Sequence, residues 1–293
     1  HKRWPNVCTR SRNPHGNLQS KPGRKVGFHG GSAMSLFDMR GQVAVITGSS
    51  RGIGKAIAEE MAEQGAKVVI SSRKLDVCDE VAAALNAKYG EGTAVAIAAN
   101  ISSKDSLQAL VDGSRKAFGK ITALVCNAAS NPYYGPMADI SDDAFSKILT
   151  NNIVANNWLI SMVVPEMIAR GEGSITIISS IGGLKGSSVI DAYCISTAAD
   201  MQLARNLADE YGPKGVRVNC IAPGLIKTDF AKALWDNPET LKRSTSTASL
   251  KRIGEPHEIA GAAVFLASPA GAFMTGQTMV IDGGVTSSGG GVG

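Results

Sequence analysis

The sequence predicts a doubly wound α/β fold: one parallel sheet of about seven strands with helices on both faces. Two observations carry this reading. Short apolar runs without polar alternation recur along the chain, as expected of strands buried on both sides. Helical stretches separate most of them, so the connections are crossovers, and the right-handedness of crossovers makes the sheet doubly wound. The chain has 293 residues, 44% of them hydrophobic. That is enough for one substantial core.

The elements follow in order. The first strand, 43–47, is the apolar run Val-Ala-Val-Ile ending in Thr47, and a glycine-rich turn follows it. Ile53, Ile57 and Met61 then recur every four residues, as one face of a helix does. Further strands are expected at 67–71, 94–98, 121–126, 174–179, 216–221 and 277–281. Helices are expected at 76–89, 103–118, 141–169, 191–211 and 256–267. No second set of such units exists, so one domain is read over 38–285. The Gly/Ser-rich stretch 286–293 reads as a flexible tail.

Residues 1–37 hold seven basic and no acidic side chains, are rich in Gly, Pro, Ser and Asn, and show no apolar periodicity. They read as a disordered leader or translated upstream sequence, with Met34 resembling a natural start. A targeting peptide is the functional alternative, though no clear amphipathic helix supports it. The rest of the chain carries 23 basic against 25 acidic residues, which argues against nucleic-acid binding. No run of 18 apolar residues exists, so no membrane span is expected. Five cysteines without C-x-x-C spacing suit reduced thiols in a cytoplasmic protein. Beyond residue 37 only His257 remains, which removes most metal-site and Ser-His-Asp readings, and no metal is expected.

The turn Thr47-Gly48-Ser49-Ser50-Arg51-Gly52-Ile53-Gly54 joins the first strand to the first helix. Its glycines allow a tight turn and close approach to a pyrophosphate, whose charge the helix N-terminus favours. The spacing is G-x-x-x-G-x-G, not G-x-G-x-x-G. The second strand runs into Ser71-Ser72-Arg73-Lys74 with no carboxylate to take the adenosine ribose hydroxyls. Arg51 and Arg73 can instead clamp a 2′-phosphate, with Ser72 or Lys74 assisting, so NADP(H) is expected over NAD(H). The bland reading of the two arginines is a pair of solvated surface charges.

These motifs, together with Tyr193 and Ser180, resemble the short-chain dehydrogenase/reductase (SDR) family over about residues 38–285. The glycine turn resembles that family's cofactor motif, and the fold it implies is of Rossmann type. Asn127-Ala128-Ala129 resembles the N-A-G motif of the fourth strand, with Ala129 in place of glycine. Asn100-Ile101 stands where the family has Asp-Val beside adenine. Pro223-Gly224-Leu225-Ile226-Lys227-Thr228 resembles the nicotinamide-side motif, which implies carboxamide contacts from Pro223, Gly224, Ile226 and Thr228.

By the same resemblance, Ser180 orients a substrate carbonyl, Tyr193 gives or takes the proton, and Asn152 supports a proton relay. The neighbouring Asn151 is the one-residue alternative. The family places lysine four residues after the tyrosine, where it binds the nicotinamide ribose and lowers the tyrosine pKa. Here Thr197 stands at that position. A unit charge about 5 Å away at an effective dielectric near 20 is worth roughly 3 kcal/mol, so Tyr193 is expected to titrate near a free phenol, about 10. Two readings stay open: an impaired enzyme, or a silent NADP(H)-binding pseudoenzyme acting as a sensor or interaction subunit.

The segments 131–135 and 223–228 look most like those of NADPH-dependent carbonyl reductases acting on bulky or dicarbonyl compounds, which implies a small-molecule carbonyl compound or alcohol as the substrate. Tyr133, Tyr134, Val189 and Trp235 are expected to wall an apolar pocket, with residues 229–250 as a mobile lid. The resemblance also implies a homo-oligomer, a tetramer, pairing through 103–118, 141–169 and the last strand. Phe265-Leu266-Ala267 and Met279-Val280-Ile281 are the apolar segments expected to serve that pairing.

Overall fold

The computed structural model describes residues 35–288; the predicted leader before 35 and the tail after 288 lie outside the described residues. The strands are β1 (Val43–Thr47), β2 (Lys67–Ser71), β3 (Ala94–Ala96), β4 (Ala123–Cys126), β5 (Gly173–Ile178), β6 (Val216–Pro223) and β7 (Thr278–Ile281). All pair in parallel, in the order β3-β2-β1-β4-β5-β6-β7. The helices are α1 (Gly52–Glu63), α2 (Leu75–Tyr89), α3 (Lys104–Phe118), α4 (Asp142–Leu149), α5 (Ala155–Arg170), α6 (Asp191–Tyr211), α7 (Pro238–Ser246) and α8 (Pro256–Ala267).

Alternation along each strand divides the core between the two faces of the sheet. Val45, Val69, Leu124 and Ile175 pack with Leu110, Val163 and Ala204 from α3, α5 and α6. Ala44, Ile46, Val68 and Val125 pack with Ile57, Val81 and Ile259 from α1, α2 and α8. This is the doubly wound fold with its seven parallel strands.

Several boundaries differ from the sequence expectation. β4 begins at Ala123 because the Ile121 backbone serves side chains: its N–H donates to Glu166 and its carbonyl accepts from Arg170. β3 ends at Ala96, two residues early. The long helix expected over 141–169 is α4 and α5 joined by a π-helical turn at Thr150–Val154, which a period of 3.6 does not reveal. α7 breaks the lid segment. Asn237 caps it by accepting from Glu239 N and Thr240 N at 2.9 and 3.1 Å, with Pro238 at its first position.

The chain ends of this body are tied down. The Leu36 carbonyl accepts from Ala270 N at 2.9 Å, inside the stretch assigned to the leader. Thr286 N and Oγ1 both donate to Asp282 at 2.7 Å, and Ser288 Oγ donates to the Thr247 carbonyl at 2.7 Å. Asp282 therefore anchors the first residues of the predicted tail. Among the described residues no helix is long and apolar enough to cross a membrane.

Candidate active site

Strand order reverses between β1 and β4, which opens a crevice at their C-terminal ends. The glycine turn lies there. Gly48 and Gly52 adopt φ of +68° and +57°, values that favour glycine. A Cβ on Gly54 would stand 2.4 Å from the Gly48 carbonyl oxygen, so the turn can close this tightly only without a side chain. α1 starts at Gly52 behind Arg51, whose side chain makes no capping hydrogen bond. The first N–H groups of α1 are thus open toward the crevice, which suits a pyrophosphate. Ile53 packs into the α1 core, and Ser50 is half-buried beside it.

The end of β4 braces this turn. Thr47 Oγ1 accepts from Asn127 N and Ala128 N at 3.0 and 3.1 Å. Asn127 Nδ2 donates to the Thr47 carbonyl at 2.9 Å and the Gly48 carbonyl at 3.2 Å. The Asn127 amide nitrogen therefore holds the turn, as the Asn127 and Ala128 N–H groups do through Thr47, which leaves the carbonyls of 127–129 to face a ligand. Ser49, absent from the sequence-based site, ties the turn to β2 by accepting from Ser71 N at 2.8 Å.

Around the adenosine end, Arg73 is exposed and has no side-chain partner among the described residues. Arg51 pairs at 3.4 Å with Asp229 of the lid, both side chains 69% exposed. Ser72 Oγ lies 3.1 Å from Cys78 Sγ and 3.4 Å from the Lys74 carbonyl, so it serves the start of α2. Asn100 Oδ1 accepts from Ser102 N at 3.1 Å, which leaves its amide nitrogen for a ligand. Ile101 packs against the α3 side of the core.

On the other side of the crevice, Pro223 ends β6 and Gly224 N donates to the Ile281 carbonyl at 2.9 Å. A Cβ on Gly224 would meet Asp282 Cα at 2.8 Å, so the two segments touch backbone to backbone. Ile226 is buried, and Thr228 caps the 3₁₀ turn Asp229–Leu234. That turn brings Phe230 against Tyr193, ring centroids 6.0 Å apart.

Tyr193 and Thr197 lie one turn apart on α6, and Ser180 follows β5. Ser180 Oγ accepts from Gly182 N at 3.0 Å, which fixes its side chain at the strand end. The π turn puts both Asn151 and Asn152 inside the protein. Asn151 joins Ser102 at 2.7 Å to Ser130 at 2.9 Å. Asn152 accepts from Ser130 N at 2.9 Å and donates to Ser196 Oγ at 3.0 Å, and Ser196 Oγ donates to the Tyr193 carbonyl at 2.8 Å. Of the two asparagines, Asn152 is the one linked to the Tyr193 helix. Ser130 and Ser196 were not among the sequence candidates. For Ser196, its place three residues after Tyr193 was the available signal.

Thr197 is 2% exposed, and its hydroxyl donates to the Tyr193 and Cys194 carbonyls, each at 3.1 Å. Tyr193 does not sit near a free phenol value, as expected from the missing charge alone. Burial pushes its pKa well upward, the Asp200 carboxyl, Cys194 and Tyr134 add to the rise, and Ser180 opposes it. Asp200 itself is 2% exposed and hydrogen-bonded by Asn156 Nδ2 at 3.1 Å. Burial raises its pKa to about 8, with Asn156 opposing.

The expected apolar pocket is divided. Gly135 N donates to the Val189 carbonyl at 2.9 Å, which places the 131–135 segment beside 189–190. Tyr134 and Val189 remain 43% and 47% exposed there. Tyr133 turns its hydroxyl back to the Pro136 carbonyl at 2.8 Å. Trp235 belongs elsewhere: its indole donates to the Thr228 carbonyl at 3.0 Å, and it lines a cavity of about 530 Å³ with Lys227, Leu241 and Ile253.

Residues 48–286 match the family model described as Enoyl-(Acyl carrier protein) reductase. Human dehydrogenase/reductase SDR family member 4 is 40% identical over 247 residues, covering 84% of this chain and 88% of that protein. The chain belongs to the short-chain dehydrogenase/reductase family. The structure of 7α-hydroxysteroid dehydrogenase, complexed with NADH and 7-oxo glycochenodeoxycholic acid, is 35% identical with a TM-score of 0.81, covering 85% of this chain and 96% of that one. A gluconate 5-dehydrogenase from Burkholderia cenocepacia, in complex with NADP and tartrate, is 29% identical with a TM-score of 0.83, covering 88% and 100%. As an SDR, this chain is an oxidoreductase of a family that uses NAD(P)(H) on small molecules, and its crevice fits such a nucleotide.

Proposed function

We propose that this SDR moves a hydride between NADP(H) and a ketone or secondary alcohol, with catalysis impaired by Thr197. The observation that carries this reading is the convergence at one sheet edge of an uncapped α1 N-terminus, Ser180 after β5 and Tyr193 on α6. A nicotinamide nucleotide bound there supplies or accepts the hydride. The α1 N-terminus would hold its phosphates, the backbone of 127–129 its ribose, and 223–228 its nicotinamide side. Ser180 orients the carbonyl, Tyr193 supplies the proton at its phenol oxygen, and Asn152 supports the relay to that helix. Threonine brings no charge to position 197.

Several finer points belong to the same proposal. Arg73 and Arg51, with no carboxylate after β2, favour NADP(H) over NAD(H). Tyr134, Val189 and Phe230, exposed at the cleft beside Tyr193, suit a carbonyl compound with an apolar body. The catalytic domain spans 38–285, flanked by a leader and a short tail. The setting is cytoplasmic; a human relative 38% identical over 243 residues, SDR family member 2, is mitochondrial. A tetramer is the proposed assembly. Leu266 is fully buried in the core, so the apolar surface near β7 that supports it narrows to Val280 and Phe273, 41% and fully exposed.

The engagement of the Thr197 hydroxyl by its own helix favours a second reading, a nucleotide-binding pseudoenzyme. Thr197→Lys separates the two. NADPH oxidation against a ketone panel should rise in the variant, while calorimetry measures NADPH binding in both proteins. A variant that binds NADPH tightly and reduces no carbonyl would make the pseudoenzyme reading the better one.

A further inference from the structure

Asp200 lies on the face of α6 that carries Tyr193 and Thr197, at spacings of seven and three residues. It is 2% exposed, and Asn156 Nδ2 supplies the hydrogen bond to its carboxyl, at 3.1 Å. Asn156 Nδ2 also donates to the Asn152 carbonyl at 2.6 Å, and Asn152 reaches Ser196 and through it the Tyr193 carbonyl. One buried hydrogen-bonded array therefore runs from the acid to the tyrosine helix, with threonine where a cation would stand.

The groups facing Asp200 supply no positive charge. Cys126 on β4 and Cys220 on β6 are thiols that burial holds protonated. Asn156 on α5 is neutral, and on α6 itself Tyr193 is the phenol that the Asp200 charge acts on. Arg205 lies further along α6, exposed and hydrogen-bonded to Gln202. Around Tyr193 the remaining groups are Cys194 and Tyr134, with Lys185 near Cys194.

We propose that Asp200 is a positioning residue that acts through Tyr193: protonated, it adds nothing to the burial that already disfavours the tyrosinate, and ionised, it opposes that tyrosinate further. This rests on Tyr193 being the acid–base group of the proposed reaction. A buried carboxylate that lacks a cation keeps its proton into the neutral range, and the rise of Asp200 to about 8 agrees with this. As pH climbs past that range the new negative charge opposes the tyrosinate that alcohol oxidation requires. Carbonyl reduction uses the phenol and is spared. Asp200, with no cation at Thr197 to offset it, thus adds to the effect of burial on Tyr193 and weakens oxidation at alkaline pH, without altering the equilibrium between the two directions.

Seven residues of helix rise about 10.5 Å. A unit charge at that range, with an effective dielectric near 20, moves an ionisation constant about tenfold. The test is a tyrosinate absorbance titration of the full chain without cofactor or substrate, with Tyr193→Phe assigning the Tyr193 step. In Asp200→Asn that step should move to lower pH, corresponding to an ionisation constant about tenfold larger. Asp200→Thr, close in volume and also neutral, serves if the first variant fails to fold. An unmoved Tyr193 step in a folded neutral variant overturns the proposal. The readout needs no turnover, so a chain inert on every carbonyl would end the oxidoreductase reading while leaving this result standing.

Discussion

The Thr197 hydroxyl donates to the Tyr193 carbonyl one helical turn back, at 3.1 Å, so the side chain that stands in the lysine position is tied to its own backbone. It offers nothing to the Tyr193 phenol. Burial raises that phenol well above its ordinary value, so Tyr193 is protonated throughout the neutral range.

Thr197→Lys should therefore change the two directions of reaction unequally. Oxidation needs the phenolate, so it gains most, by about 10²–10⁴ at neutral pH. Reduction uses the phenol and gains less, through the restored ribose contact. For the parent chain, oxidation should stay slow even where a free phenol would begin to ionise. Superimposable pH–rate profiles for parent and variant would show that another group already supplies the charge.

Cofactor preference follows from Arg73 and Arg51. NADPH should bind more tightly than NADH, and Arg73→Ala should narrow the gap by about 1.5–3 kcal/mol, the range for hydrogen bonds to charged groups. Arg51 is held by an exposed ion pair to Asp229, so Asp229→Asn should tighten NADPH by no more than about 1 kcal/mol. Isothermal titration with both nucleotides checks each value, and equal affinities in the parent would refute the assignment.

The Ser196 hydroxyl links Asn152 to the Tyr193 helix, so Ser196→Ala leaves Asn152 Nδ2 without that acceptor in a buried site. Stability should fall by about 1–3 kcal/mol. Turnover should fall while NADPH affinity holds, because Ser196 lies on the Tyr193 side of Asn152, away from the glycine turn. Denaturant melts and nucleotide binding measured together would expose a merely global loss of structure if both decline.

The strands and the glycine turn were legible because burial on two faces writes continuous apolar runs, and because a Cβ at Gly54 has nowhere to go. Tyr193, Ser180 and Asn152 were picked out by the family resemblance, and the fold places them on α6, after β5 and in the π turn. The role of Asp200 was not: one acidic residue in a mixed helix reads as a solvated charge until β4, β6 and α5 close around it. Phe230 and Trp235 sit five residues apart in one polar segment, yet one meets Tyr193 and the other packs under α7. Lid geometry of that kind depends on a 3₁₀ turn that leaves no periodic signal.

Light scattering at micromolar concentration should give a mass well above one 30.4 kDa chain. Phe273→Asp with Val280→Lys should shift it toward the monomer, because these exposed apolar side chains lie beside and on the edge strand β7. A parent mass near one chain would end the tetramer proposal.

The buried Asp200 also makes a prediction about stability and pH. In the unfolded chain this carboxyl ionises near 3.8, and in the fold it keeps its proton to about 8. Between those values the folded state holds one more proton than the unfolded state, so stability falls as pH rises, by at most about 1.4 kcal/mol per unit. Above about 8 both states are ionised and the slope from this group vanishes. Asp200→Asn keeps an acceptor for Asn156 and cannot ionise, so it should remove that slope. Urea unfolding of parent and variant at about pH 5 and about pH 8 should show the variant gaining about 3–4 kcal/mol on the parent at the higher pH. An unchanged difference between the two pH values would mean that Asp200 ionises alike in both states, and that its carboxyl is hydrated or paired despite its burial.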